Sequence, residues 1–474
     1  MYSISRTYFL IVLLIGSFLL SALEAWSAKV IISGKAPGYE QKSIELNTLH
    51  DFISEEKVKI GTIRFDGEGT FKLETEISDI TLCFADFDGF HGMIYLEPGK
   101  TYQIVLPPKQ IQTESQKRNP FFKPEPVWFG ILNPVKNDIN VNIQKYEQAY
   151  SVYENQYFDQ IFVNHNKPLA DTIKLKLNKE FPKTDQPFFE DHKLFRMANL
   201  DFALNRGKSA GFMGTYFSNN KPIYNLDAYS TAFSQVFQNY FDMLINGSNG
   251  EVVRKMINAS NLKNIDDYFQ KQFHFCTDLS HWVLLQSLKD GFYSKQFSKV
   301  AILKMLDQVK TLGWSKYEQE TALLIRTKLT WLASGTIPPT ISLTELSGKS
   351  IKLSEFSGNY IYLHFTDPAN SICRQHLEAL KTVAGHYKQN LTIINVIPKG
   401  ASIKPESGWP GLFVTTDANI DNTFKVKTFP TAYLIAKDGK LLLSPAPNPI
   451  DGLDRQLGQI FKSDHFKELQ KSGK

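Results

Sequence analysis

Two short apolar runs, Ile361–Phe365 and Leu391–Ile397, are separated by a helical pattern that opens at Cys373-Arg374 and continues to about Tyr387. Runs this short and this apolar are strands of the buried type, and a helix between two of them marks a βαβ unit with parallel pairing. The tail of the chain is therefore expected to be an α/β domain. Just ahead, Thr340–Ile351 reads as a hairpin around Gly348-Lys349, and Leu353-Ser354-Glu355-Phe356-Ser357-Gly358 leads into the first strand. Thr336-Ile337-Pro338-Pro339 ends the preceding helix and supplies the boundary, because the residue before a proline is driven out of the helical region.

At 474 residues the chain is too long for a single core, since cores stop growing at roughly 250–300 residues. The N-terminal stretch reads as β. Lys29–Gly34, Ser43–Leu46, Thr81–Phe84, Gly92–Leu96 and Tyr102–Leu106 are short alternating runs. Lys59–Phe65 and Thr70–Thr75 flank the turn cluster Asp66-Gly67-Glu68-Gly69 and are expected to form a hairpin. From about Pro134 the period becomes helical, with amphipathic stretches at Val141–Phe162, Phe195–Leu204, Tyr229–Leu244, Ile265–Leu288, Lys299–Leu312 and Tyr317–Ala333. The aromatic stripe Phe233, Phe237, Tyr240 and Phe241 is read as core.

Residues 1–28 have the features of a signal peptide: Arg6, an apolar segment from Tyr8 to Leu20, and the small-residue stretch Ser21–Ala28 with cleavage after Ala25 or Ser27. No cysteine lies there to carry a lipid. The mature protein is expected to be periplasmic, with no stable membrane span. The net charge of +5 is spread over 53 basic and 48 acidic residues with no long basic run. Nucleic acid is therefore not an expected partner. Neither a P-loop nor a glycine-rich dinucleotide fingerprint nor a catalytic triad is present, and no cofactor is implied. No metal site is expected: His376 lies three residues after Cys373, but a third ligand is missing. The cysteines are Cys83, Cys276 and Cys373; the first two are expected to be buried small hydrophobes.

The succession from Pro338 to about Phe461 resembles the TlpA/ResA group of extracytoplasmic thioredoxin-like proteins, in the thiol-disulfide oxidoreductase family. That group has the Gly-Lys hairpin, the Leu-Ser-x-Phe-x-Gly segment and a strand ending in Phe, followed by a Cys-x-x-Cys-Arg redox motif. Aligned without a gap from Phe365, Cys373 falls on the second cysteine, Arg374 on the arginine, and Asn370 on the first cysteine. The motif is thus a degenerate Asn-x-x-Cys. The family's hydrophobic-Pro-Thr element, with its cis peptide bond facing the redox motif, matches Phe429-Pro430-Thr431. The strand Ala432–Ile435 and the turn Asp438-Gly439-Lys440 follow.

The resemblance implies a redox site in which the first cysteine, at a helix start, is the attacking thiolate and the second resolves the mixed disulfide. Asn370 has no thiolate state, although asparagine is a good helix N-cap. Three readings of Cys373 stay open. It is a buried remnant in a redox-inactive binding module, a single working thiol that forms mixed disulfides, or a peroxidatic cysteine. The last departs from its pattern at Asn370 and Thr366, where peroxiredoxins carry Thr and Pro.

The expected architecture is multidomain: a signal peptide over 1–28, an antiparallel β-sandwich over 29–112, an α-helical region over 113–335 and a thioredoxin-like α/β domain over 336–474. The expected function is protein or peptide binding by a member of the thiol-disulfide oxidoreductase family without dithiol activity. The alternative is a single-thiol enzyme using Cys373. Asn370, Cys373, Phe429 and Pro430 are the candidate site residues.

Overall fold

A computed structural model describes residues 27–113, 116, 122–205, 210–218, 222–401 and 408–472. The stretch read above as a signal peptide lies, up to residue 26, outside the described residues. The chain has a sheet-rich N-terminal region, a helical middle and a sheet-containing C-terminal region. It divides into two compact units, one running to Arg326 and the other from Thr327.

In the N-terminal unit, β1 (Ala28–Lys35), β4 (Thr70–Ile77), β7 (Thr101–Val105) and β9 (Gly130–Ile131) form one sheet in the order β4-β1-β7-β9. The other sheet has β2 (Ser43–Leu49), β3 (Lys57–Arg64), β5 (Thr81–Asp86), β6 (Phe90–Leu96) and β8 (Glu125–Trp128), in the order β3-β2-β5-β6-β8. Both sheets bury their alternate residues in a common core: Val30 and Ile32 from one, Leu46, Ile63 and Ile94 from the other. Gly92 lets the sheet close over Phe129, whose ring would lie 2.1 Å from a Cβ at that position.

Three expectations change here. Lys59–Phe65 and Thr70–Thr75 do not form a hairpin: β3 pairs with β2 and β4 with β1. Asp66 holds the turn by accepting from the Glu68 and Thr70 amides at 2.9 and 2.8 Å, and the chain then crosses from one sheet to the other. Alternation specifies which face of a strand is buried; it does not specify the partner. The sheets are also not purely antiparallel, because β1 runs parallel to β7 and β6 parallel to β8. Finally, β8 and β9 carry the sheets past residue 112.

The helices that matter below are α1 (Ile139–Gln156), α2 (Lys167–Glu180), α3 (Pro187–Asn205), α4 (Asp227–Phe237), α5 (Tyr240–Ile245), α6 (Gly250–Asn258), α7 (Leu262–Phe273), α8 (Thr277–Gly291), α9 (Lys299–Thr311) and α10 (Lys316–Thr330). The expected Tyr229–Leu244 and Ile265–Leu288 are each two helices, interrupted where Asn239 and His274 take left-handed φ of 53° and 55°. Asp138 caps α1, accepting from the Asn140 and Val141 amides. The buried Asn140 amide then bonds both backbone groups of Tyr95 on β6, at 2.7 and 2.9 Å. Tyr95 is packed with Ile143, Tyr146 and Leu200, so sheet and helices share a core.

The C-terminal unit is one seven-stranded sheet in the order β11-β10-β14-β13-β12-β15-β16. Its strands are β10 (Leu343–Glu345), β11 (Ser350–Ile351), β12 (Tyr360–Phe365), β13 (Leu391–Val396), β14 (Leu412–Thr415), β15 (Thr431–Ile435) and β16 (Leu441–Leu443). Pairing is parallel for β12 with β13 and for β13 with β14, as the βαβ pattern predicts, and antiparallel elsewhere. The crossover helix α11 (Ser371–His386) and the last helix α12 (Leu453–Ser472) cover one face through Leu377, Leu380, Leu453 and Leu457. The other face packs Ile361, Leu363, Phe365 and Ile394 against Phe424 and Phe356.

Candidate functional site

The strand β12 is wholly buried and delivers the chain to one end of the sheet. Its last residue, Phe365, lies opposite Thr431, the first residue of β15. The segment after Phe365 and the segment before Thr431 therefore emerge at the same end. The first carries Asn370 and Cys373; the second carries Phe429 and Pro430, joined by a cis peptide bond. Thr431 Oγ1 closes the second segment by donating to Thr428 O at 2.7 Å. A cis Ser444–Pro445 bond, not foreseen from the sequence, lies elsewhere in this unit.

Asn370 is the N-cap of α11. Its backbone is extended, with φ −82° and ψ 132°, and its side chain accepts from the Ile372 amide at 2.8 Å and the Cys373 amide at 3.3 Å. Helix starts leave amides without internal partners, and a side-chain oxygen at this position satisfies them. Asp367 shapes the approach: its carboxylate accepts from the Ala369 amide at 2.9 Å and its carbonyl from the Asn370 amide. Arg374 folds back to donate from Nη1 to the carbonyls of Pro368 and Ala369, at 3.0 and 2.8 Å. The turn is thus held from both sides.

Cys373 lies on the inner face of α11 and is 0% exposed. It is a free thiol, as are Cys83 and Cys276. Cys83 is buried as expected, and burial pushes its thiol up to about 12. Cys276 departs from expectation. It is only half-buried, because it occupies the N-cap position of α8 in an extended conformation rather than a packed helix face.

Beneath this end of the sheet lie two buried histidines. His364 is 0% exposed and His376 6% exposed, with ring centroids 6.0 Å apart and planes 17° from parallel. Asn395 on β13 sets the state of His364. Its Nδ2 donates to Pro410 O at 2.9 Å, so its Oδ1 is the acceptor for His364 Nδ1, at 3.0 Å. His364 is therefore protonated on Nδ1, and its Nε2 lone pair is buried without a partner. Thr366 Oγ1 and His376 Nδ1 are likewise buried and unpartnered. Burial, with a smaller contribution from His376, depresses the His364 pKa to about 4 against the Asn395 hydrogen bond. Burial also lowers that of His376. Of the two, only His376 stands out in the sequence; the register of β12 and β13 sets Asn395 opposite His364, and the packing of α11 on the sheet brings His376 to it. Among the described residues no group of three or more His, Cys, Asp or Glu could hold a metal ion.

Chemically, this site has a carboxamide at the exposed helix start and a thiol sealed below it. Ile372, between them in sequence, is 54% exposed, and Phe429 and Pro430 are half-buried.

No family model matches the chain, and no curated protein matches it. Solved structures similar to it include the thioredoxin domain of a thiol-disulfide oxidoreductase from Bacteroides vulgatus, at 22% identity, over 27% of this chain and 98% of that one, with a TM-score of 0.23. A thioredoxin-like protein from Bacteroides caccae is 15% identical over 48% of this chain and 92% of its own, with a TM-score of 0.28. An exposed lipoprotein thioredoxin from Streptococcus pneumoniae is 23% identical over 26% of this chain and 99% of its own, with a TM-score of 0.22.

Proposed function

We propose that the C-terminal unit is a thioredoxin-like domain, related to the TlpA/ResA group, of an exported periplasmic protein, and that it binds protein or peptide without dithiol redox activity. On this reading the chain is a signal peptide over 1–28, a β-domain from residue 29 that extends through β9, a helical region from there to 335 and the thioredoxin-like domain over 336–474. The observation that carries the functional part is the hydrogen bonding of Asn370. Its amide oxygen already satisfies the two helix-start amides that would otherwise stabilise a thiolate there. Helix capping is kept and nucleophilic chemistry is lost. The complete burial of Cys373 supports the same reading, because a thiol without solvent access cannot be reached by a partner's sulfur. The exposed Ile372 side chain and the Phe429-Pro430 segment emerge at one sheet end, a surface on which an extended apolar peptide can lie. Among the described residues no helix is long and apolar enough to cross a membrane.

Thiol labelling of the native protein tests the proposal. Cys276 is expected to react with a maleimide, while Cys373 reacts only after unfolding, and the protein does not reduce insulin. Rapid labelling of native Cys373, or insulin reduction that disappears in Cys373→Ser, would establish the single-thiol enzyme instead.

A further inference from the structure

The N-terminal unit contains a cleft of about 1110 Å³ between the ends of β2 and β5 on one side and residues 222–230 on the other. It exists because two neighbouring strands separate. β2 and β5 pair only at Leu46–Ala85 and Asn47–Phe84. Beyond that point Thr48 keeps contact through its side chain alone, Oγ1 donating to Leu82 O at 2.8 Å. Phe52, Tyr224 and Tyr317 supply aromatic wall, with the two tyrosine rings 5.2 Å apart. A volume of this size exceeds that of a typical small-molecule pocket and suits several residues of extended chain.

The charge lining the cleft is one-sided. Several of its side-chain donors are consumed within the protein. Thr81 Oγ1 donates to Asp79 O at 2.8 Å and Ser230 Oγ to Asp227 O at 2.9 Å. Asn225 Nδ2 is bonded to Ile80 O and the Tyr317 hydroxyl to His50 O. The acceptors are not consumed in the same way. Glu76, Asp79 and Asp227 contribute three carboxylates, no lysine or arginine lines the cleft, and none of the three has an ion-pair partner among the described residues. In a chain whose net charge is +5, this is a local negative field between apolar walls. Such a cleft concentrates ligands of opposite sign.

We propose that this cleft binds a basic segment of an extended polypeptide, taking lysine or arginine side chains between the aromatic walls and the carboxylates. Ammonium and guanidinium groups are cationic donors, the complement of the three carboxylates. Their aliphatic stems cover apolar wall, and their heads interact favourably with aromatic faces. This site is separate from the Asn370 surface and does not depend on how that surface is read.

The test is fluorescence anisotropy of the full chain with a fluorescein-labelled Ala-Lys-Ala-Arg-Ala-Lys peptide at low salt. Binding is expected, and it is expected to weaken at least tenfold in E76Q/D79N/D227N. A control triple, D171N/E180Q/D185N, changes net charge equally around α2 and is expected to bind as the parent does. Unfolding temperatures verify that both triples fold, and the single reversal Glu76→Lys repeats the test with minimal change. A peptide with acetyl-lysine and citrulline at the basic positions is expected not to bind. Absence of binding by the basic peptide would overturn the proposal, as would equal loss in both triples or equal binding of the neutralised peptide. Spermidine that binds as tightly as the peptide would overturn the polypeptide as occupant.

Discussion

Acidification is expected to destabilise the C-terminal unit through His364. In the unfolded chain this histidine has its ordinary pKa of 6.5, and in the fold burial depresses it to about 4. The proton therefore binds the unfolded chain more tightly. Stability is unaffected above the unfolded value, falls as pH drops through 6.5, and levels off below about 4. The difference between the two values corresponds to about 3 kcal/mol in full, of which about 2 kcal/mol is already lost by pH 5. That is a large part of the ~5–15 kcal/mol by which a domain is stable.

Calorimetry of the full chain at pH 7, 6 and 5, for the parent and His364→Leu, reads this effect. The variant leaves Asn395 Oδ1 without its donor and should lose about 1–3 kcal/mol at every pH. The distinguishing quantity is the difference between pH 7 and pH 5, which should be about 2 kcal/mol smaller in the variant. The imidazole shifts of His364 in the labelled protein supply an independent reading and should titrate near pH 4. Titration near 6.5, or an equal loss of stability in parent and variant, would refute the argument.

Three other outcomes are expected. His281 on α8 is held between Glu318, 2.7 Å from Nδ1, and Asp266, 3.5 Å from Nε2, and stacks on Trp314 with centroids 3.6 Å apart. Although burial opposes it, its hydrogen bonds and the charges of the two carboxylates raise its pKa to about 9. The stabilisation is complete below pH 6.5 and lost as pH rises through 9, and His281→Ala should cost about 3 kcal/mol at pH 6 in denaturant unfolding with the parent's advantage narrowing by pH 10. Replacing Asn370 by alanine removes the cap of α11 and should cost about 1 kcal/mol, seen as faster hydrogen exchange at Ile372 and Cys373 than in the parent. Gly92→Ala places a methyl group 2.1 Å from the Phe129 ring; calorimetry should show a loss of about 1–3 kcal/mol from overpacking.

Local chemistry made much of the C-terminal unit readable. A buried strand, a helix and a second buried strand have few other solutions, and the parallel pairing of β12 with β13 follows. The cap at Asn370 was likewise legible, because asparagine before a helical pattern has a definite task. Helix breaks were less so. Asn239 and His274 carry left-handed φ inside continuous apolar patterns, and periodicity over a window does not register one such residue.

By itself the sequence determined which faces are buried and that an amide stands at the helix start. These follow from periodicity and from the chemistry of single residues. Tertiary structure alone decided which strands pair, so that β3 and β4 part into different sheets. It also decided that His364 takes its tautomer from Asn395, that Cys373 is sealed, and that the cleft gathers three carboxylates with no lysine or arginine beside them. The physical reason is common to all four. Each depends on which groups from distant parts of the chain meet, and residue order alone does not specify those partners.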